Sequence, residues 1–265
     1  MPSGDCDAVS LVHCLMPWES ARCRSHRKGP MGLLRRIIRR FTKPRCNICG
    51  GQKFRHGPNQ RLSPTGKPPR CKRCHSLERH RAFRRIFLEL GPKRLRTLRC
   101  LQFSPDPTIN RRWFDSFEVS VFGTLNSLDL QHIDRPDRSY DVIVCNHVLE
   151  HVPDYRAALR ELSRILSAHG FLFLSFPDPY RAERTTDWGY PDPKLHNHYR
   201  HFGRDVEEVL RQEMADCHVV AVTSVDAVTG LRDLAYVVTR SGDWLRRLGR
   251  LKLDARVCAQ PAPAG

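Results

Sequence analysis

No apolar run in the 265-residue sequence is long enough to span a bilayer, and the best N-terminal candidate, residues 10–18, is interrupted by His13 and follows an acidic start. Neither a signal peptide nor a transmembrane anchor is expected. Acidic residues are almost missing from one stretch: residues 21–98 hold 24 Lys and Arg but only Glu78 and Glu89, while the rest of the chain holds 21 basic against 26 acidic residues. The net charge of +17 therefore belongs to a basic first part joined to a mildly acidic second part. A nucleic acid or an anionic membrane surface is the partner this charge suits, although a merely solvated basic face explains it as well. Aromatics interleaved with the basic residues are also lacking, since Phe41, Phe54 and Phe83 stand alone, and this weighs against a stacking platform for single strands. No internal repeat is visible.

Seven of the eleven cysteines (Cys6, Cys14, Cys23, Cys100, Cys145, Cys217, Cys258) have no spacing that pairs them. The other four form Cys46-Asn-Ile-Cys49, then 21 residues, then Cys71-Lys-Arg-Cys74. Two Cys-x-x-Cys knuckles let four thiolates converge tetrahedrally, which predicts a structural zinc with no open position. A redox pair or incidental thiols are the alternatives. Gly50, Gly51, Gly57, Pro58, Pro64, Gly66, Pro68 and Pro69 make the intervening hairpin mostly loop, unable to fold without a crosslink. Grouped cysteines of this kind suit a reducing, cytoplasmic setting better than secretion.

Residues 1–30 read as a disordered leader, and Met31 is an alternative start. Residues 31–45 carry Leu33, Leu34, Ile37, Ile38 and Phe41 at helical spacing with arginines opposite, a basic amphipathic helix that either packs on the protein or meets lipid or nucleic acid. The ribbon with a connecting helix occupies 46–91. Ser76 reads as that helix's N-cap and Gly91-Pro92 as its stop, with Arg79, Arg81, Arg84 and Arg85 solvated.

From residue 95 to 240 short apolar runs at 98–103, 117–122, 141–146, 171–176, 218–222 and 234–238 alternate with amphipathic helices at 153–166 and 204–214, the first ended by His169-Gly170. This order predicts an α/β fold, a Rossmann-like, doubly wound and mostly parallel sheet that binds ligands at its strands' carboxyl ends. Residues 241–265 read as a basic, partly disordered tail.

The informative segment runs from Ser139 to Asp154. A buried strand ends at Asn146, and His147, Glu150 and His151 follow at the i, i+3, i+4 spacing of one helical face. Tyr140-Asp141-Val-Ile-Val-Cys-Asn146-His147-Val-Leu-Glu150-His151-Val-Pro153, with Arg160-Glu161-Leu-Ser-Arg164-Ile-Leu166 and Gly170-Phe-Leu-Phe-Leu-Ser175, resembles class I S-adenosylmethionine-dependent methyltransferases of the type 11 group. With the cysteine ribbon and Ser76-Leu-Glu-Arg-His-Arg81, it is similar to a bacterial subgroup that carries an N-terminal four-cysteine zinc ribbon.

The resemblance implies that S-adenosylmethionine is the cofactor and that the loop after the first strand holds its methionine part. That loop here is Leu101-Gln-Phe-Ser-Pro-Asp-Pro107, without the usual glycines, so Phe103, Ser104, Pro105 and Asp106 stand in. No acid ends the second strand to meet the ribose. Asp129, with Leu130, matches the family's position at the adenine amino group, and Asn146 completes the set. In related enzymes acting on ubiquinone precursors or on RNA termini, a Glu-x-x-Glu-His motif binds a divalent metal. The resemblance maps it to His147, Glu150 and His151, with His198 as a later ligand or His201 as its alternative. These four, His147, Glu150, His151 and His198, are the candidate catalytic residues, as acid/base groups or around a second divalent metal. The alternative is that Glu150 and His151 only cap the turn, and that residues 178–200 are only a lid.

Three functions follow. The first is methyl transfer to an oxygen of a small molecule, a glycan or a natural-product intermediate. The second is methylation of RNA guided by the basic ribbon. The third is a non-catalytic zinc-ribbon binding protein with a degenerate methyltransferase fold.

Overall fold

The computed structural model describes residues 44–260. The expected leader, all but the last two residues of the expected amphipathic helix at 31–45, and the final five residues lie outside the described residues. Residues 44–260 form one compact unit.

The ribbon opens this unit with β1 (Phe54–Arg55) and β2 (Arg70–Cys71), a two-residue antiparallel pair. The connecting helix α1 (Glu78–Leu90) follows, then β3 (Arg99–Phe103), β4 (Ser116–Ser120), β5 (Tyr140–Asn146), α2 (Tyr155–Ile165) and β6 (Leu166–Ser175). A small hairpin of β7 (Thr186–Asp192) and β8 (His198–His201) precedes α3 (Val206–Glu213), β9 (His218–Val225), β10 (Arg232–Thr239), α4 (Gly242–Leu248) and β11 (Asp254–Ala259).

Seven strands form one sheet in the order β11-β9-β10-β6-β5-β3-β4. The pairs β4/β3, β3/β5 and β5/β6 are parallel, whereas β6/β10, β10/β9 and β9/β11 are antiparallel. The sheet is thus a central parallel core with a mixed half, narrower in its parallel part than the sequence suggested.

Alternation along β5 explains why both faces are covered. Ile143 and Cys145 face a core shared with Ala158, Leu159 and Leu162 of α2 and with Val206 and Leu210 of α3. Val142 and Val144 face the other core, with Phe83, Ile86, Phe87 and Leu90 of α1 and Trp244 and Leu248 of α4. Phe87 and Phe83 pack on Phe173 with ring centroids 4.8 and 5.6 Å apart. Each such fully buried side chain contributes roughly 1.5–3 kcal/mol, so α1 is held as a wall of the domain and is more than a tether.

Residues 241–260, the described part of the expected partly disordered tail, supply α4 and β11, which pairs antiparallel with the edge of β9. Three local expectations are overturned. His169 and Gly170 lie inside β6 and do not end α2. A Cβ at Gly170 would sit 2.2 Å from the Asp141 carbonyl oxygen, so this glycine answers a close strand approach at the register shift between Tyr140 and Val142.

Ser76 does not cap α1. Its hydroxyl lies 3.4 and 3.2 Å from the Cys46 and Cys74 sulfurs, and the backbone N–H of Leu77 donates to His80 Nδ1 at 3.1 Å instead. Nor are the arginines of α1 all solvated. Arg81 is 1% exposed and grips Asp226 bidentately at 2.9 and 2.8 Å, and Arg84, 5% exposed, stacks over Trp113. Arg81 Nη1 also donates to the Ser76 carbonyl and its own carbonyl accepts from Asn47, so one residue joins ribbon, helix and the β9–β10 turn.

Candidate functional site

At the carboxyl edge of the parallel core, β3 and β5 lie side by side and each is followed at once by a non-glycine residue with positive φ: Ser104 at 62° and His147 at 52°. Left-handed backbone costs an L-residue about 1–2 kcal/mol and tends to persist where surrounding contacts demand it. At Ser104 the demand comes from Gln102, whose buried amide donates to the Ser104 and Asp106 carbonyls at 2.8 and 3.3 Å. The loop therefore turns as a glycine loop would, with serine in the strained position.

Asp106 then closes the loop onto the neighbouring strand. Its carboxylate accepts from the Asn146 amide at 2.9 Å and from the Thr108 N–H at 2.6 Å, while Ser175 at the end of β6 donates to Asn146 at 3.1 Å. The structure thus links Asp106 and Asn146 directly. Phe103 is 3% exposed and packed in the core, so contact with a ligand at this edge is left to its backbone and to exposed Ser104 and Pro105. Asp129 is exposed beside buried Leu130, its carboxylate accepting from the Gln131 N–H at 2.9 Å, and it shares no hydrogen bond with Asp106 or Asn146. After β4 the turn carries Phe122, 99% exposed, and no carboxylate.

His147, Glu150 and His151 do not share an α-helical face. His147 is left-handed, Leu149–His151 is a single 3-10 turn, and α2 begins only after the Asp154 cap. They still converge. His147 Nδ1 lies 3.6 Å from Glu150 Oε1, and the His198 ring meets His151 edge-on at 4.6 Å. Glu150, His151 and His198 each offer a ligand atom, all within 4.8 Å of one another. His201 packs against both Trp188 and His198, with ring centroids 5.1 and 5.9 Å away, but is not among the residues whose ligand atoms converge with Glu150. Among the described residues, His147 Nε2, Glu150 Oε2 and His198 Nδ1 are buried without a hydrogen-bond partner.

Burial sets the charge of this cluster. It pushes the Glu150 carboxyl up to about 8, against the pull of Arg79 and Arg200. Burial, then the charge of Arg79, holds His147 well below the usual imidazole range, and burial with the neighbouring histidines takes His198 down to about 4. At neutral pH the cluster is uncharged histidines beside a largely protonated acid.

Two arginines organise it, Arg200, which the sequence did not single out, and Arg79, which was expected to be solvated. Arg200, 1% exposed, donates to the carbonyls of Leu149, Val152 and Pro153 and to Asp187, and so fixes the 3-10 turn. Arg79, half-buried in the first turn of α1, places its charge near His147 and Glu150. In sequence both sit among other basic residues, and only the run of histidines around Arg200 singled out that stretch.

His147 also lines a cavity of about 980 Å³ that reaches from the ribbon and α1 across to β10 and β11. On the ribbon itself the four cysteine sulfurs lie within 4.8 Å of one another. A Cβ at Gly51 would sit 3.1 Å from the Cys71 sulfur and 3.3 Å from that of Cys49, so glycine is what lets the chain wrap this group. The sulfur donors, the Gly51 approach and the Ser76 hydroxyl fit a tetrahedral zinc.

A family model described as a methyltransferase domain matches residues 76–215, just over half of the chain. No curated protein matches the sequence. Among solved structures, the chain is similar to the Burkholderia thailandensis 1,6-didemethyltoxoflavin-N1-methyltransferase with bound 1,6-didemethyltoxoflavin and S-adenosylhomocysteine. That similarity is 16% identity over 59% of this chain and 77% of the other, with a TM-score of 0.41. It is also similar to an S-adenosylmethionine-dependent methyltransferase, a possible histamine N-methyltransferase, from Thermotoga maritima, at 16% identity over 61% and 91% of the two chains and a TM-score of 0.40.

Proposed function

The chain belongs to the methyltransferase-domain family and is an enzyme that transfers methyl groups, and from that premise we propose that it carries a methyl group from S-adenosylmethionine to an oxygen of a small-molecule or glycan acceptor. One observation carries this reading: the consecutive residues Asn146 and His147 face two different places. Asn146 ties to the loop after β3, where the cofactor belongs, and His147 lines the large cavity, where the acceptor belongs.

The bound sulfonium supplies an already activated methyl group. The protein's work is then mostly positioning, with nucleophile and methyl carbon held at about 3 Å. Asp106 and Asn146 keep the β3 loop against β5, and Ser104 and Pro105 present backbone to the methionine part. Asp129 and Leu130 would meet the adenine. His147, kept neutral by burial, can turn its free Nε2 to the acceptor's hydroxyl proton when its Nδ1 carries the hydrogen toward Glu150.

A second reading of the same cluster rests on Glu150, His151 and His198, whose one carboxylate and two imidazoles fit a transition-metal ion better than magnesium. A divalent cation held there would lower the pKa of an acceptor hydroxyl. On the ribbon, Cys46, Cys49, Cys71 and Cys74 hold a structural zinc in this reading.

Calorimetric titration of the full-length, zinc-replete protein with S-adenosylmethionine tests the main claim. Saturable binding that Asn146→Ala weakens at least tenfold is expected. No heat at millimolar ligand would favour the non-catalytic reading. Elemental analysis of the wild type, Cys46→Ser and His151→Ala decides the metals: one zinc lost with Cys46→Ser supports the ribbon site, and a second ion lost only with His151→Ala supports the cluster site.

A further inference from the structure

The 980 Å³ cavity is at the upper end of the range for small-molecule sites, and its walls come from parts of the chain far apart in sequence. Five guanidinium-bearing residues line it, each from a different place: Arg61 on the ribbon, Arg79 on α1, Arg181 in the turn after β6, Arg232 on β10 and Arg256 on β11. Three are already paired. Arg61 meets Glu78 at 2.7 Å, Arg232 meets Asp254 at 3.2 Å, and Arg256 meets Glu207 at 2.5 Å.

Arg79 and Arg181 have no carboxylate within 4.0 Å among the described residues. For exposed Arg181 water suffices. For half-buried Arg79 part of that hydration is lost, and an oxyanion is the ligand whose geometry repays it, through two parallel N–H bonds. Four acids also face this cavity, of which Glu78 and Asp254 are the partners of Arg61 and Arg232. Asp178 is exposed on the rim, and burial pushes the Asp233 carboxyl up to about 7, so near neutrality much of its charge is gone.

We infer that this cavity is the acceptor site, and that the acceptor carries a phosphoryl or carboxylate group held by Arg79 and Arg181 while its reacting hydroxyl lies at His147. The inference rests on the methyl-transfer reading for the word acceptor, but the anion site stands on the arginines alone. A concave site walled by the ribbon, with few aromatics, favours a small anionic molecule over a nucleic-acid strand.

The test titrates zinc-replete, full-length protein separately with inorganic pyrophosphate, with citrate, with a uridine 20-mer and with S-adenosylhomocysteine. It compares wild type with Arg79→Gln/Arg181→Gln and with Arg112→Gln, an exposed arginine that does not line the cavity. Saturable binding of pyrophosphate or citrate, weakened at least tenfold by the double variant and less than twofold by Arg112→Gln, is expected, and the tighter of the two identifies phosphoryl or carboxylate as the group. S-adenosylhomocysteine affinity should be the same in all three proteins, which also shows the double variant folded. A wild type that binds S-adenosylhomocysteine but neither pyrophosphate nor citrate would overturn the acceptor inference alone. Anion binding without S-adenosylhomocysteine binding would leave the site and remove the methyl-transfer reading. Equal weakening by Arg112→Gln, or preference for the 20-mer lost in the double variant, would overturn the small-anion assignment.

Discussion

Replacing Arg200 with alanine would remove the buried charged side chain that ties the 3-10 turn bearing Glu150 and His151 to the β7–β8 hairpin, leaving the weaker His151 contacts with Asn197 and His198. Its guanidinium donates to the carbonyls of Leu149 at 3.0 Å and Pro153 at 2.6 Å, to that of Val152, and to Asp187 at 2.6 Å, and it lies 4.6 Å from the centre of the Tyr155 ring. Hydrogen bonds from a charged donor are worth about 1.5–3 kcal/mol each, and some of that is offset because alanine no longer pays to bury a charge. Breaking a buried charged contact of this kind typically costs about 3–5 kcal/mol, a large part of a total of about 5–15 kcal/mol. Arg200→Ala should therefore lower the urea midpoint by that free energy divided by the slope, the slope itself unchanged, with a folded baseline still visible. Asp187→Asn is the internal comparison: Asp187 is 39% exposed, its pairing is screened by water, and less than about 1 kcal/mol is expected. If Arg200→Ala cost less than 1 kcal/mol, or Asp187→Asn cost as much, the carbonyl clamp would not be what holds the turn.

Three further outcomes follow from the same structure. The folded Glu150 carboxyl, pushed up to about 8, keeps a proton that the unfolded chain releases near pH 4.5, so this group's contribution to stability falls as pH rises from about 4.5 to 8, by up to about 1.4 kcal/mol per pH unit. Urea unfolding across that range should show the slope in the wild type and not in Glu150→Gln; a slope unchanged by the substitution would assign it elsewhere. Ser104→Gly relieves a left-handed residue and should raise stability by up to about 1 kcal/mol in thermal melts, whereas a loss would mean that the serine side chain makes a contact worth more than the strain. Removing metal with a chelator should lower the melting temperature and expose the ribbon to protease, since its two-residue strands bury little on their own; an unchanged melt would speak against a structural metal.

The Asn146-His147 segment at the end of β5 and the paired cysteines were legible because each is short and local. Two cysteines within one knuckle, or a buried strand running into Asn146-His147, are dictated by spacing along a few residues. Element boundaries were legible less well where pairing partners decide them. Leu166 leaves α2 because Tyr140 awaits it across the sheet, and β11 forms because β9 offers an unpaired edge.

Charge was the hardest feature to read. An arginine among arginines looks solvated in a sequence, and its fate depends on what the fold sets opposite it: Asp226 for Arg81, three carbonyls for Arg200, and for Arg79 no carboxylate within 4.0 Å among the described residues. By itself the sequence determined the α/β alternation, the four clustered thiols, and the identity of the groups at the end of β5, since those follow from periodicity and near-neighbour spacing. Tertiary structure alone decided which strands run antiparallel, which histidines meet Glu150, and that guanidiniums from the ribbon and the last strand face one cavity, because burial and long-range convergence are properties of the packed chain.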